Sequence, residues 1–546
     1  MDVAEIARSL ADRYWDRLLE LEPMIGTLTG DERHDDRLAD PSETGRAAAE
    51  SVHRAALKEL DTIDRTALGS DLRGTLDILE EIAKRNVAEI EMRTDRLKVT
   101  SHLWGPGQLL ADIGSMQRAD TPERLDRYEA RLRAVPAYLA ACGEIAQESV
   151  DTGVTSPSVV AHRAVGQVER LLALAPGDSP AMIPLHDDTA RERIAAVVSD
   201  VVNPAYETFL AALRDYLPHA TESIGLSALP GGEEIYAAEI LAWTTLPLDP
   251  REVHDLGNER FDAIQLERRE VAERLGFTSA EEAIADRRAQ GENSFATRAA
   301  LVELAEEQVQ RSWDAAPAYF SRLPSANCQV RPVEEFREAD MPFAFYNPPT
   351  EDGSRPGVYY VNAFDLASRD LHHLASVTYH EANPGHHFQM TIEQERVEMP
   401  RLRRFGGEFA GGAFCEGWGL YSERLADEMG LYLDDWERLG MLEAQAHRAS
   451  RLITDTGIHA LGWSREAAIA KVEEGGTSHS DAVIEVDRYI AVPAQALCYM
   501  IGMIEIEKAR AAARAREGSA FSLREFHDGL LALGQLPLPA LRRELG

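Results

Sequence analysis

The sequence predicts a mostly α-helical protein, and three observations carry that expectation. Apolar residues recur at spacings of three and four opposite Arg/Glu faces over most of the chain. The breaks between these stretches hold Gly, Pro or Ser, as in Trp104-Gly-Pro-Gly and Ala175-Pro-Gly-Asp-Ser-Pro. Residues of β character concentrate in one region, about 329–362.

Taken in order, Ile6, Leu10, Tyr14, Trp15, Leu18 and Leu19 set a first helix that Gly26-Thr-Leu-Thr-Gly-Asp ends. Amphipathic stretches follow at about 43–64, 70–97, 121–149, 158–174 and 187–217. Pro230-Gly-Gly-Glu-Glu is the best boundary, dividing an amino-terminal helical region, 1–230, from a carboxy-terminal one, 231–546. The first region carries no chemistry of its own and is expected to wall the site within one cooperative unit. More helix runs from about Pro250 to Leu275 and from Ser294 to Ser312. Gln329-Val-Arg-Pro-Val, Pro342-Phe-Ala-Phe-Tyr and Gly357-Val-Tyr-Tyr-Val-Asn then suggest a small sheet, whose edge can serve structure alone or pair with an extended substrate. Helix resumes by about Ser368, with Asp370 in its first turn, and runs toward Glu395. His372 and His373, early in that helix, read as surface or supporting residues.

With 546 residues and 44% apolar content the chain can bury a large core. Its net charge of −36 argues against nucleic acid or an anionic membrane surface as partner. Four dispersed cysteines give neither a disulfide framework nor a Cys-x-x-Cys metal site. No apolar run approaches the roughly 20 residues of a membrane span, and the amino terminus shows no secretory pattern. A cytoplasmic protein is expected.

The chemistry concentrates in Thr378-Tyr-His-Glu-Ala-Asn-Pro-Gly-His-His-Phe-Gln, which holds three of the 16 histidines. A His-Glu pair with further histidines close behind is how zinc hydrolases supply imidazole ligands and a general base. The usual spacing is His-Glu-x-x-His, but here His386 and His387 follow His380 by six and seven residues. On a regular helix those positions rise roughly 9 and 10.5 Å, too far to share one ion bound at about 2 Å. Pro384 and Gly385 offer the repair: a proline removes a helical hydrogen bond and clashes one turn back, so the helix should break there. Two residues absorbed in that break return His386 to the usual second-ligand place, with His387 as the alternative. Glu381 then works as general base.

A third ligand should come from another helix, and Glu416 in Phe414-Cys-Glu-Gly-Trp-Gly-Leu-Tyr-Ser-Glu is the candidate. The glycines after it permit close approach, and Glu423, two turns on, is placed to orient a ligand. Downstream, Arg448, Arg451, Asp455, His459, Arg488, Tyr489, Gln495 and Tyr499 are candidates to line the site. Tyr489 is the preferred oxyanion donor and Arg488 the preferred anchor for a substrate carboxylate. The competing reading makes Arg451–Asp455 and Arg488–Glu485 structural ion pairs.

These motifs, with Asp455-Thr-Gly-Ile-His-Ala-Leu-Gly-Trp, Arg488-Tyr-Ile-Ala-Val-Pro-Ala-Gln-Ala-Leu and the closing Phe526-His-Asp-Gly-Leu-Leu-Ala-Leu-Gly-Gln-Leu-Pro-Leu, closely resemble the bacterial family known as domain of unknown function 885 (DUF885). The resemblance covers nearly the whole chain. It implies a large helical fold similar to the thermostable zinc carboxypeptidases and the thimet-oligopeptidase group, with a deep cleft and a small sheet beside the motif helix. Those relatives carry the standard motif, so the two-residue expansion is this chain's departure.

The expectation is therefore a zinc metallopeptidase of carboxypeptidase or oligopeptidase type. Its ligands are His380, His386 and Glu416, its substrate a peptide or small amide, and a homodimer is open to it. A metallo-amidase acting on modified amino acids and a non-catalytic helical scaffold with a degenerate metal site are the alternatives.

Overall fold

The predicted amphipathic stretches fold as helices within a few residues of their expected places. The computed structural model describes residues 2–545, apart from 334, 336, 337, 339, 340, 352, 354 and the side chain of 368. Its first long helices are α1 (Val3–Leu21), α2 (Glu43–Leu60) and α3 (Ser70–Met92). The Ser42 hydroxyl accepts from the Gly45 N–H at 3.2 Å and caps α2. Next come α4 (Pro122–Thr152), α5 (Ser158–Ala173) and α6 (Asn203–Tyr216). The stretch expected as one helix over 187–217 is helical throughout but not uniformly α, with Asp188–Val197 passing through a π turn at Val198–Val202 into α6. Pro204 accounts for the irregular turn, since it has no N–H to bond one turn back.

The remaining principal elements in chain order are α7 (Gly232–Thr244), α8 (Pro250–Arg274), α9 (Arg298–Ala315), β1 (Gln329–Pro332), β2 (Ala344–Asn347) and β3 (Val358–Val361). They are followed by α10 (Leu374–Glu381), α11 (His386–Gln394), α12 (Ala413–Glu428), α13 (Asp435–His459), α14 (His479–Ala491) and α15 (Cys498–Glu517). The fold is mostly α with one three-stranded sheet. The helix expected from about Ser368 begins as α-helix only at Leu374, after two 3₁₀ turns. Asp370 caps nothing there, because Arg288 and Asn293 occupy its carboxylate.

Hydrophobic cores join residues on both sides of Pro230. The largest joins Leu10, Trp15, Leu76 and Leu79 to Phe388, Trp418, Leu439 and Met503, so α1–α3 pack with the helices of the motif. Leu229 and Ile235 both belong to it, and it runs through the proposed boundary. A second core, with Tyr128, Leu132, Leu139, Val168, Tyr206 and Phe209, belongs to α4–α6.

The sheet has the order β1-β3-β2. β1 runs parallel to β3, with Gln329 opposite Val358, and β2 runs antiparallel to it, with Ala344 opposite Val361. The central strand buries Val358, Tyr359 and Val361, and Pro332 sits on an edge strand, where a missing N–H is tolerated. Tyr359 and Val361 share a small core with Leu374 and Ala382. The Tyr359 and Thr378 hydroxyls lie 3.1 Å apart. The sheet is thus fixed beside α10, as the sequence suggests.

Glycine sets how closely α12 can lie against α15. A Cβ on Gly502 would stand 1.8 Å from the Ala413 carbonyl oxygen and 2.8 Å from the Gly417 Cα, so the helices cross backbone to backbone. This crossing positions Glu416, the neighbour of Gly417. Gly502→Ala has only backbone to push against, and overpacking of this kind costs about 1–3 kcal/mol. A lowered midpoint in chemical denaturation is the expected result, and a wild-type midpoint contradicts the tight crossing.

Candidate metal centre

The helix carrying the motif is interrupted where Pro384 and Gly385 predict. α10 ends at Glu381 and α11 starts at His386; between them Ala382 (φ −96°, ψ −112°) and Gly385 (φ −74°, ψ −128°) leave helical geometry, and the Asn383–Pro384 bond is cis. The Pro384 carbonyl, freed by the break, is not left bare. The Trp418 indole N–H, from α12, donates to it at 2.9 Å and also to the Gly385 oxygen at 3.2 Å, which in addition accepts from the Gln389 N–H of α11. Gly385 is required by contact, since a Cβ there would lie 1.9 Å from the His380 carbonyl oxygen. The break brings the His380 and His386 rings to 4.8 Å between centroids, at 88° to each other.

Glu416 completes a trio. Its Oε2 lies 3.5 Å from His380 Nε2 and 3.6 Å from His386 Nε2. Both separations exceed a charge-assisted hydrogen bond of about 2.7–2.9 Å. They match the edge of about 3.3–3.4 Å between donors placed 2.0–2.1 Å from a tetrahedral centre. The side chains of His380, His386 and Glu416 are 3%, 11% and 22% exposed, so the group opens toward solvent on its His386–Glu416 side.

Behind the trio the donors are oriented. Glu423 accepts from His380 Nδ1 at 2.8 Å, which leaves Nε2 as the ring nitrogen facing Glu416 and His386. The other Glu423 oxygen accepts from Ser376 at 2.9 Å and from Gln445 at 3.3 Å. A Cβ on Gly419 would stand 2.7 Å from His380 Nε2, so this glycine admits the imidazole against α12. Cys415 Sγ lies 3.5 Å from His386 Nδ1. Burial alone would depress His380, but the Glu416 and Glu423 carboxylates outweigh it and raise its pKa to about 9. Burial likewise pushes Glu416 up, and the two imidazoles more than offset that, holding it well below the usual carboxylate range. Two imidazoles and a carboxylate, with a second carboxylate orienting one imidazole, are a donor set that fits zinc.

His387 stands apart from the trio. Its Nδ1 lies 2.8 Å from the Tyr346 hydroxyl and its Nε2 2.8 Å from the Ala326 carbonyl oxygen, so it ties α11 to β2. Glu381 is part-exposed, and among the described residues nothing hydrogen-bonds to its carboxylate.

Tyr489 is not brought to the trio. It is fully buried, donates to Glu485 at 2.9 Å, and accepts from Arg451 at 3.2 Å. The phenol beside the trio is Tyr499, whose ring stacks on His380 at 6.3 Å. Arg488 reaches Tyr499 at 3.4 Å, but the same nitrogen donates to Gln495 at 2.5 Å, and its neighbour faces Glu485 at 3.4 Å. Asp455 does not pair with Arg451. It accepts from Tyr236 at 2.6 Å and from the Ala494 N–H at 3.1 Å. His372 is buried rather than on the surface, and both it and His373 hydrogen-bond to Glu443, at 2.7 and 2.5 Å. Asp370, His372 and His373 form a second cluster of metal-binding residue types. Their donor atoms are already spent on Glu443, Arg288 and Asn293, a structural network between α10 and α13.

A family model described as "Bacterial protein of unknown function (DUF885)" matches residues 23–545. The crystal structure of a "putative lipoprotein" from Colwellia psychrerythraea is similar at a TM-score of 0.91 and 26% identity, covering 100% of this chain and 98% of that one. A "putative lipoprotein of unknown function" from Shewanella oneidensis shares the fold at a TM-score of 0.75 and 21% identity, covering 98% of each chain. No curated protein matches.

The raised His380 has a consequence for metal-free protein. A histidine with a folded-state pKa of about 9, above its unfolded value near 6.5, adds stability that is fully present below pH 6.5 and lost as pH rises through 9. In chelator-treated protein, Glu423→Gln should therefore flatten the fall in unfolding free energy between pH 6.5 and 9, by about 1–3 kcal/mol. An unchanged pH profile contradicts the coupling.

Proposed function

The chain belongs to the DUF885 family of bacterial proteins, and we propose that this member is a zinc-dependent hydrolase of metallo-carboxypeptidase or oligopeptidase type. One observation carries the reading: His380 Nε2, His386 Nε2 and Glu416 Oε2 converge at separations suited to a shared ion, with Glu423 fixing the His380 tautomer. A deep cleft like that of the thermostable zinc carboxypeptidases belongs to the same proposal. So does a cytoplasmic location. The four unpaired cysteines favour it, whereas the name of the Colwellia neighbour points to an envelope protein; cell fractionation decides between them.

Zinc held by this trio supplies Lewis acidity, polarising the scissile carbonyl and drawing the pKa of water toward about 7. Glu381 follows the ligand His380 directly and has no partner of its own among the described residues. Its carboxylate takes a proton from the attacking water as the water oxygen bonds to the carbonyl carbon. It returns that proton to the amine nitrogen as the C–N bond breaks. The Tyr499 phenol, stacked on His380, replaces Tyr489 as donor to the oxyanion that develops on the carbonyl oxygen.

Two sets of variants test this. His386→Ala should purify without stoichiometric zinc, whereas His387→Ala should retain it, because the His387 nitrogens are engaged by Tyr346 and Ala326. The reverse pattern contradicts the ligand assignment.

Glu381→Gln keeps the volume and removes only the proton acceptor. It should lower peptide hydrolysis by about 10²–10⁴-fold or more, with zinc content and melting temperature unchanged. Near-normal turnover would sink the mechanism, and loss of zinc would make Glu381 a ligand.

A further inference from the structure

Three arginines surround the side of the trio formed by Tyr499, and they are not equivalent. Arg488 is held by Gln495, Tyr499 and Glu485. Arg451, 4% exposed, pairs with Glu485 at 2.9 Å and donates to Tyr489, while its guanidinium stacks over the Tyr499 ring at 4.4 Å. Both are committed to one carboxylate, Glu485. Arg448, one turn before Arg451 on α13, makes no hydrogen bond or ion pair among the described residues, and its Nε is buried without a partner. Its guanidinium lies 5.9 Å from the Tyr499 ring. A buried Nη1 of Arg451 is also unpartnered.

Arg448 lies near enough to help hold the Glu423 carboxylate ionised, yet a guanidinium hydrogen-bonded to no carboxylate is unusual in a chain of net charge −36. Unpaired buried donors carry a desolvation penalty that a ligand carboxylate relieves. The position also sets a length. Tyr499 neighbours both Arg448 and His380, 5.9 Å from the guanidinium and 6.3 Å from the imidazole. These two separations set a ceiling on the gap between guanidinium and imidazole. A single amino-acid residue, about 3.8 Å between successive α-carbons, fits that gap with its bonds at either end.

Resting on the hydrolase reading above, we propose that Arg448, rather than Arg488, is the anchor for a free α-carboxylate on the leaving side of the substrate. The substrate class is then an amide whose released amine is one amino acid with a free carboxylate: a peptide cleaved at its carboxy terminus, or an N-acyl amino acid. Cleavage within a long chain is excluded, because an internal residue has no carboxylate to present.

The test pairs hydrolysis with binding. Purified full-length protein is given a tripeptide ending in phenylalanine and the same tripeptide as its carboxy-terminal amide. Calorimetry in parallel measures 3-phenylpropionate and 3-phenylpropionamide. Wild type should favour the free acid by about 10²-fold in kcat/KM, the scale of a charge-assisted bidentate contact. Arg448→Ala and the size-retaining Arg448→Gln should collapse that preference to within a few-fold, through KM more than kcat, and weaken 3-phenylpropionate binding at least tenfold. Arg448→Lys, which keeps the charge but not the fork, should fall between. Equal use of acid and amide by wild type, or acid binding untouched in the correctly folded Arg448 variants, overturns the proposal. If neither peptide is cleaved, the hydrolase reading fails, and the calorimetric contrast still decides whether Arg448 holds a carboxylate.

Discussion

The site depends on a broken helix that another helix holds open. A continuous helix through residues 380–386 would leave two peptide units too many between the histidines. The break at 382–385 absorbs them, at the expense of the Pro384 carbonyl, which no longer bonds within the helix. Trp418 takes up that burden by donating to it. The same helix carries Glu416 two residues before Trp418 and Gly419 one residue after it. One turn of α12 therefore satisfies the break, supplies a carboxylate to the trio and makes room for the His380 ring. The Gly417–Gly502 crossing sets the depth at which this turn sits.

Electrostatics gives the trio its direction. Burying two imidazoles and two carboxylates together is costly unless the charges are matched. Without a metal the match comes from holding His380 protonated between Glu416 and Glu423. In the hydrolase reading a divalent cation would take the place of that proton among the three donors, with Glu423 accepting from Nδ1. In the hydrolase reading Glu381 is the one carboxylate of the group with no assigned partner, as a general base has to be. Arg448 stands in the same position among the cations.

Much of this was legible in the sequence. The proline and glycine inside the motif announce the break, and the rise per helical residue says why one is needed. Glu416, its glycines and Glu423 follow from spacing on a single helix. The pairing of phenols and guanidiniums was less accessible. Tyr489 lies four residues after Glu485, one helical turn, and that spacing already signals an intrahelical hydrogen bond that consumes its hydroxyl. Arg488 and Glu485 carry the same signal at three residues. That Arg448 is left over, while Arg451 turns to Glu485 rather than to Asp455, depends on how α13 faces α14 and α15. No local pattern encodes that. The Pro-Gly-Gly turn at 230–232 marks a boundary between helices, and the largest core contains residues on both sides of it.

The central claim is that the break delivers His386 to an ion shared with His380 and Glu416. X-ray absorption at the zinc edge, on protein purified without chelator or affinity tag, tests it most directly. The account predicts one zinc per chain in a four-coordinate shell, with two imidazole nitrogens at about 2.0–2.1 Å and the remaining positions filled by oxygen. Protein without stoichiometric zinc, or a shell with three imidazoles or a sulfur, would contradict it.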